Sequence, residues 1–121
     1  MNCLADAPGR VEELMRLDKL SRLVVSYFLK HISVGEIVAV MDLREEVRRR
    51  VREGEKDLVQ ENESVFIERE VMRVLMELVR KGVLYYRNGV YSLSPWLIEL
   101  VKKRFGGLNP GVPKPLEKLV E

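Results

Sequence analysis

Apolar residues between Leu17 and His31 recur at steps of three and four, with Leu17, Leu20, Leu23, Val24, Tyr27, Phe28 and His31 on one helical stripe. The spacing predicts an amphipathic helix, capped by Asp18 or an earlier acid and closed by Ser33 and Gly35. Val25 and Leu29 add a second apolar edge, so this helix is expected to be covered on more than one side. Glu36 to Met41 is short, β-branched and apolar, and reads as a strand. Asp42 follows as an N-cap with Glu45 three residues on, the arrangement of a capping box. The second helix that it opens has Leu43, Val47 and Val51 on its inner face. Gly54 to Ser64 is polar and mostly acidic, and reads as a loop. A third helix carries Ile67, Val71, Val74, Leu75, Leu78 and Val79 on one face. Gly82 ends it after Arg80 and Lys81, whose charge suits the negative helix end.

Two strand-like runs come next, Val83 to Arg87 and Val90 to Ser94, joined by Asn88-Gly89. A type I′ turn needs positive φ at both central residues, which Asn and Gly tolerate best. That turn pairs Arg87 with Val90, Tyr86 with Tyr91, Tyr85 with Ser92 and Leu84 with Leu93. Paired residues share a face, so Leu84, Tyr86, Tyr91 and Leu93 are expected on one side, as a packed apolar surface. Ser94-Pro95 reads as an N-cap with proline at the first helical position. The helix from Pro95 to Phe105 is apolar around most of its circumference. Gly106 to Pro115 is rich in proline and glycine. Leu116, Leu119 and Val120 beyond it are free to dock or to stay loose.

Composition narrows the class. The chain has 121 residues, 46% hydrophobic and 33% charged, which fits one globular domain. Residues 1–105 read as that domain, with an N-terminal arm and a C-terminal dimerisation helix, and residues 106–121 as a tail. No apolar run is long enough to span a bilayer, and the first residues lack the order of a secretion signal, so a cytoplasmic protein is expected. Cys3 is the one cysteine and His31 the one histidine, which leaves no zinc cluster and no internal disulfide. His31 reads as a core or helix-end residue, and Cys3 as an unreactive thiol in the arm. No Ser-His-Asp set and no glycine-rich phosphate loop is present, so neither an enzyme nor a cofactor is expected. The high charge and the single glutamine, Gln60, resemble the composition of heat-adapted (thermophile) proteins.

The order helix, strand, helix, helix, hairpin, helix resembles the winged helix-turn-helix family from about Leu17 to Phe105. Its clearest stretch is Met72 to Pro95, MRVLMELVRKGVLYYRNGVYSLSP, where a helix runs straight into a tyrosine-bearing hairpin. The resemblance implies a mainly α fold with a small antiparallel β-hairpin, in the order α-β-α-α-β-β-α. It also implies a small regulator whose third helix enters the major groove of double-stranded DNA while the hairpin touches the backbone. The segment from Gly54 to Ser64 departs from the family's tight turn. Its Glu55, Asp57, Glu61 and Glu63 would repel phosphate.

On that reading Arg69, Arg73, Met76 and Arg80 form the outer stripe of the third helix, with Lys81 beside it and Glu70 and Glu77 at its border. Arginines there can grip phosphates or a guanine edge. Arg44, Arg48 and Arg52 make a second stripe on the preceding helix. Arg49 and Arg50 each lie four residues after a glutamate, Glu45 and Glu46, and are expected to pair with them. Arg87 sits at the hairpin tip, with Tyr85 on its outward face. The last helix, through Leu97, Val101 and Phe105, joins Val25 and Leu29 as a candidate homodimer seam. The expectation is a homodimeric DNA-binding protein, most simply a transcriptional regulator. The alternative is a winged helix used for protein contact, as an adaptor or subunit of a larger assembly. The net charge of only +2, the acidic segment and the apolar last helix point to that alternative.

Overall fold

In a computed structural model, which describes residues 12–32, 40–54 and 64–119, the first periodic stretch forms helix α1, Lys19–Lys30. Asp18 caps it, its carboxylate accepting from the Ser21 N–H at 2.8 Å. His31 is the C-cap, and its ring lies against Tyr27 with centroids 4.5 Å apart. Helix α2 is Val40–Arg52 and α3 is Ser64–Arg80. The hairpin strands are β1, Leu84–Arg87, and β2, Val90–Leu93. Helix α4, Pro95–Phe105, and a 3-10 turn at Leu116–Leu119 complete the order. The architecture is mainly α with one antiparallel hairpin, compatible with a winged-helix-like fold.

Burial of Asp18 raises its carboxyl pKa. The Ser21 hydrogen bonds and the nearby Arg73 and Lys81 outweigh that and hold it below the ordinary value. A depressed carboxylate contributes stability that is present above the unfolded pKa and is lost as pH falls through the folded one. Asp18→Ala should therefore cost about 1 kcal/mol at neutral pH. Asp18→Asn should keep the cap and flatten the acid side of a stability-versus-pH curve, both read by urea unfolding. An unchanged acid limb in Asp18→Asn would show that another carboxylate sets it.

Asp42 stands inside the first turn of α2 and is not its N-cap, because the helix begins two residues earlier. Its charge still suits the positive helix end. The last two residues of the expected strand, at 40 and 41, are thus helical. Its remaining residues, 36–39, lie outside the described residues, as do Ser33 and Gly35, the arm with Cys3, the acidic segment with Glu55, Asp57, Glu61 and Glu63, and Val120.

The hairpin has the register that its turn dictates, Leu84 with Leu93 through Arg87 with Val90. Asn88 and Gly89 have φ of 52° and 82°. Leu84, Tyr91 and Leu93 are buried, but Tyr86 is 54% exposed, against the expected packed face. It leans on Tyr91, ring centroids 4.8 Å apart.

The core is built by α1, α2, α3 and the hairpin, with α1 and α2 both packed on α3. Helix α4 follows Ser94, and the Trp96 indole N–H donates to the Gly82 carbonyl at 2.7 Å, tying α4 to the end of α3. The tail is part of this body. Leu116 and Leu119 are buried, and the 3-10 turn packs on α4. The Lys114 ammonium is buried and donates to the carbonyls of Leu29, Asn109 and Val112 at 2.9–3.0 Å. Gly111 N–H donates to the Lys30 carbonyl. The tail thereby satisfies carbonyls that the end of α1 leaves open.

Candidate functional site

The buried residues of α3 (Ile67, Val71, Val74, Leu75 and Leu78) occupy one side of the helix. At 100° per residue the opposite side carries Phe66, Arg69, Arg73, Met76 and Arg80, with Met72 at its edge. Met76 is 65% exposed and Phe66 37%, whereas most large apolar side chains of the chain are buried. Glu68, Arg69, Met72, Arg73 and Met76 line a shallow concavity there. A methionine pair framed by guanidinium groups offers apolar contact and hydrogen-bond donors together. That is the composition of a protein contact surface, where methionine, arginine and aromatic residues are enriched.

Pairing of the arginines changes what the face can do. Arg73 donates to Glu70 at 3.2 Å and lies 3.9 Å from Asp18, and Arg80 pairs with Glu77. Glu70 raises the pKa of Arg73, and Arg80 holds the Glu77 carboxyl below its ordinary value. On α2, Arg44 reaches across to Glu68 on α3 at 2.8 Å, and Arg48 pairs with Glu45. Arg48 was expected to stay available and Arg49 to take Glu45. Instead Arg49 is held by Glu46 and Glu53, while Arg50 takes Glu46 as expected. Of the residues placed on DNA by the sequence, Arg44, Arg48, Arg73 and Arg80 thus already face carboxylates. Arg52, Arg69, Lys81 and Arg87 are without an ion pair among the described residues. Surface pairs of this kind exchange easily, so they lower the charge offered to a phosphate more than they add to stability.

Tyr85 and Tyr86 are both exposed on β1, Tyr85 at 42%. As neighbours on one strand they point to opposite faces of the hairpin, Tyr86 on the side of Tyr91 and Tyr85 on the side of Ser92. The expected homodimer seam is not a surface. Val25, Leu29, Leu97 and Val101 are each 0% exposed and Phe105 is half-buried, because the tail and the core together cover one side of α4 and the second edge of α1, while Trp96, Ile98 and Leu100 are half-buried. Phe66 and Met72 were missed by the sequence reading. Their signal was present in the helical angles, which set them beside Met76 and the arginines. Among the described residues no group of three or more His, Cys, Asp or Glu side chains is placed to hold a metal ion, and no helix is long and apolar enough to cross a membrane.

No curated protein and no solved structure matches the chain. Residues 18–99 match the protein family described as PolB1 Binding Protein 2. The match begins at the α1 cap and runs through α2, α3 and the hairpin into α4. It overturns the placement among winged helix-turn-helix transcriptional regulators, and with it the expected role in transcription regulation. The order of elements that suggested the regulators is a packing solution, and such solutions recur among proteins of unrelated function. With some two-thirds of its length inside the match, the chain belongs to the PolB1 Binding Protein 2 family.

Proposed function

We propose that this chain is a protein-interaction subunit that attaches to DNA polymerase B1 through the outward face of α3. The observation that carries the surface is Met76, the most exposed of the large apolar side chains among the described residues, set in a concavity with Met72, Arg69 and Arg73. The family's description names the partner. The same face read as a DNA reader has most of its arginines opposed by glutamates, while a protein contact uses their stems and the methionines together. The exposed hairpin tyrosines Tyr85 and Tyr86, a few residues after α3 in the chain, offer further aromatic contact. Such a subunit works in the cytoplasm with the polymerase and needs no cofactor or chemistry of its own.

The test is biolayer interferometry of immobilised polymerase B1 against the purified chain. A saturable 1:1 response at micromolar or lower concentration is expected. Hydrogen exchange on the complex should show protection of α3 and β1. Absence of binding would remove the partner, and protection confined to other elements would remove the α3 face.

A further inference from the structure

Met15, Met72 and Met76 are the methionines among the described side chains, and they differ sharply in access to water. Met76 is 65% exposed, whereas Met15 and Met72 are half-buried. The Met15 sulfur also accepts from an Arg22 guanidinium N–H at 3.9 Å. A peroxide oxidises a thioether only by reaching the sulfur lone pair, so attack follows exposure. Met76 therefore stands ahead of the other two in the free chain.

Its neighbours on α3 give that oxidation a consequence. Arg73 stands three residues before Met76 and Arg80 four residues after it, one helical turn to either side. Met72 and Met76 line one shallow concavity with Arg69 and Arg73. A thioether is a weak acceptor and rests readily against apolar surface. A sulfoxide is polar, and its oxygen is a strong acceptor with two guanidinium groups a turn away. Glu70 and Glu77 hold those groups in the free chain through largely exposed pairs, of the kind that exchange easily. The oxidised side chain is thus drawn toward the arginines and lost as an apolar contact beside Met72. The core is spared, since Met76 lies opposite the buried side of α3.

Building on the proposed attachment through the outward face of α3, we infer that Met76 is a redox-sensitive contact, oxidised by hydrogen peroxide in the free chain and unable to hold the polymerase once oxidised. In that step the O–O bond breaks, one oxygen forms the S–O bond, and the other leaves as water. Sulfur gives up the two electrons that the peroxide gains. A methionine sulfoxide reductase reverses the change: a dithiol supplies two electrons and two protons, becomes a disulfide, and the oxygen leaves as water. In the complex the same sulfur is covered, so the free chain is the form that responds.

The experiment treats the full chain with a graded series of hydrogen peroxide, removes the excess with catalase and divides each sample. Trypsin cuts after Arg69, Arg73 and Arg80, so Met72 and Met76 fall in separate peptides that mass spectrometry reads apart. The Met76 peptide should gain one oxygen well before those of Met72 and Met15. Biolayer interferometry on immobilised, untreated polymerase B1 should show affinity falling at least about tenfold as Met76 is converted, with the melting temperature of the chain unchanged. Sulfoxide reductases of both stereospecificities should restore it. Met76→Leu keeps an apolar side chain of similar volume, so it should bind like the parent and hold its affinity through the same treatment. Peroxide added to the preformed complex should convert Met76 markedly more slowly. Three results overturn the inference while polymerase binding stands: conversion of Met15 or Met72 as fast as Met76, full affinity of the chain oxidised at Met76, or equal loss in peroxide-treated Met76→Leu. An untreated chain that fails to bind removes the proposed attachment, and the redox contact with it.

Discussion

Met76→Asp is expected to weaken binding to DNA polymerase B1 by at least about thirtyfold, while the melting temperature of the free chain stays within a degree or two. The two halves of this expectation have separate physical causes. In the free chain the Met76 side chain is mostly in water and touches little of the core, so exchanging it removes no packing. Aspartate also has a low helix propensity, which sets the small residual cost. In the complex the thioether would be desolvated between Met72 and the guanidinium groups. Burying a methionine contributes about 1.5–3 kcal/mol. A carboxylate at its place must be stripped of water, or must compete with Glu70 for Arg73 and stand against any acidic group of the partner. Met76→Ala should lose less, about tenfold, since it removes the apolar contact without adding a charge. The readout is the dissociation rate in biolayer interferometry, with circular dichroism melts as the control. Equal affinity in Met76→Asp and the parent chain would move the contact off α3, and Tyr85→Ala and Tyr86→Ala would then test the hairpin.

Local rules made much of the fold legible in the sequence. The Asn88-Gly89 pair accepts positive φ twice, and a two-residue turn leaves one register, so each of the four strand pairs was fixed by chemistry at a single point. Ser94-Pro95 and Gly106 bound α4 for similar reasons, proline fixing φ at the start and Gly106 taking φ of 71° at the end. Depth was not legible. Tyr86 and Tyr91 share a face by parity, but parity does not say where the core stops, and it stops between them. Ion partners were only partly legible. Glu45 and Glu46 each lie within reach of several arginines on α2, and the Arg44–Glu68 pair crosses to another helix whose placement no periodicity reports. The candidate site suffered from a similar gap. Arginine spacing on α3 suggested a basic reader, while the exposed Met76 in the same stripe carries equal weight as an apolar contact.

Removing residues 106–121 is expected to lower the urea midpoint sharply and to make the chain self-associate. The apolar circumference of α4 looked like a seam for a second copy, but the structure buries Leu97 and Val101 within one chain and leaves Trp96, Ile98, Leu100 and Phe105 half-buried. Leu116 and Leu119 are buried where the 3-10 turn lies on α4, and Lys114 fastens the same segment to the last turn of α1. Trimming one buried leucine to alanine costs about 2–5 kcal/mol. Loss of two leucines and of the Lys114 bonds together is therefore on the order of 5 kcal/mol, a large part of the total of about 5–15 for a domain of ordinary stability. Two milder variants separate the contributions. Leu119→Ala should lose about 2–5 kcal/mol through the cavity alone. Lys114→Met keeps the stem but leaves three carbonyls without their donor, and should lose about 1–3 kcal/mol. The truncated chain would expose α4 around Leu97 and Val101, an apolar patch of the kind that seeks a partner. Light scattering after size exclusion should then show dimers or larger species where the full chain runs at a smaller mass. A truncated chain as stable as the full one, and of the same mass per subunit, would show that α4 needs no cover from the tail.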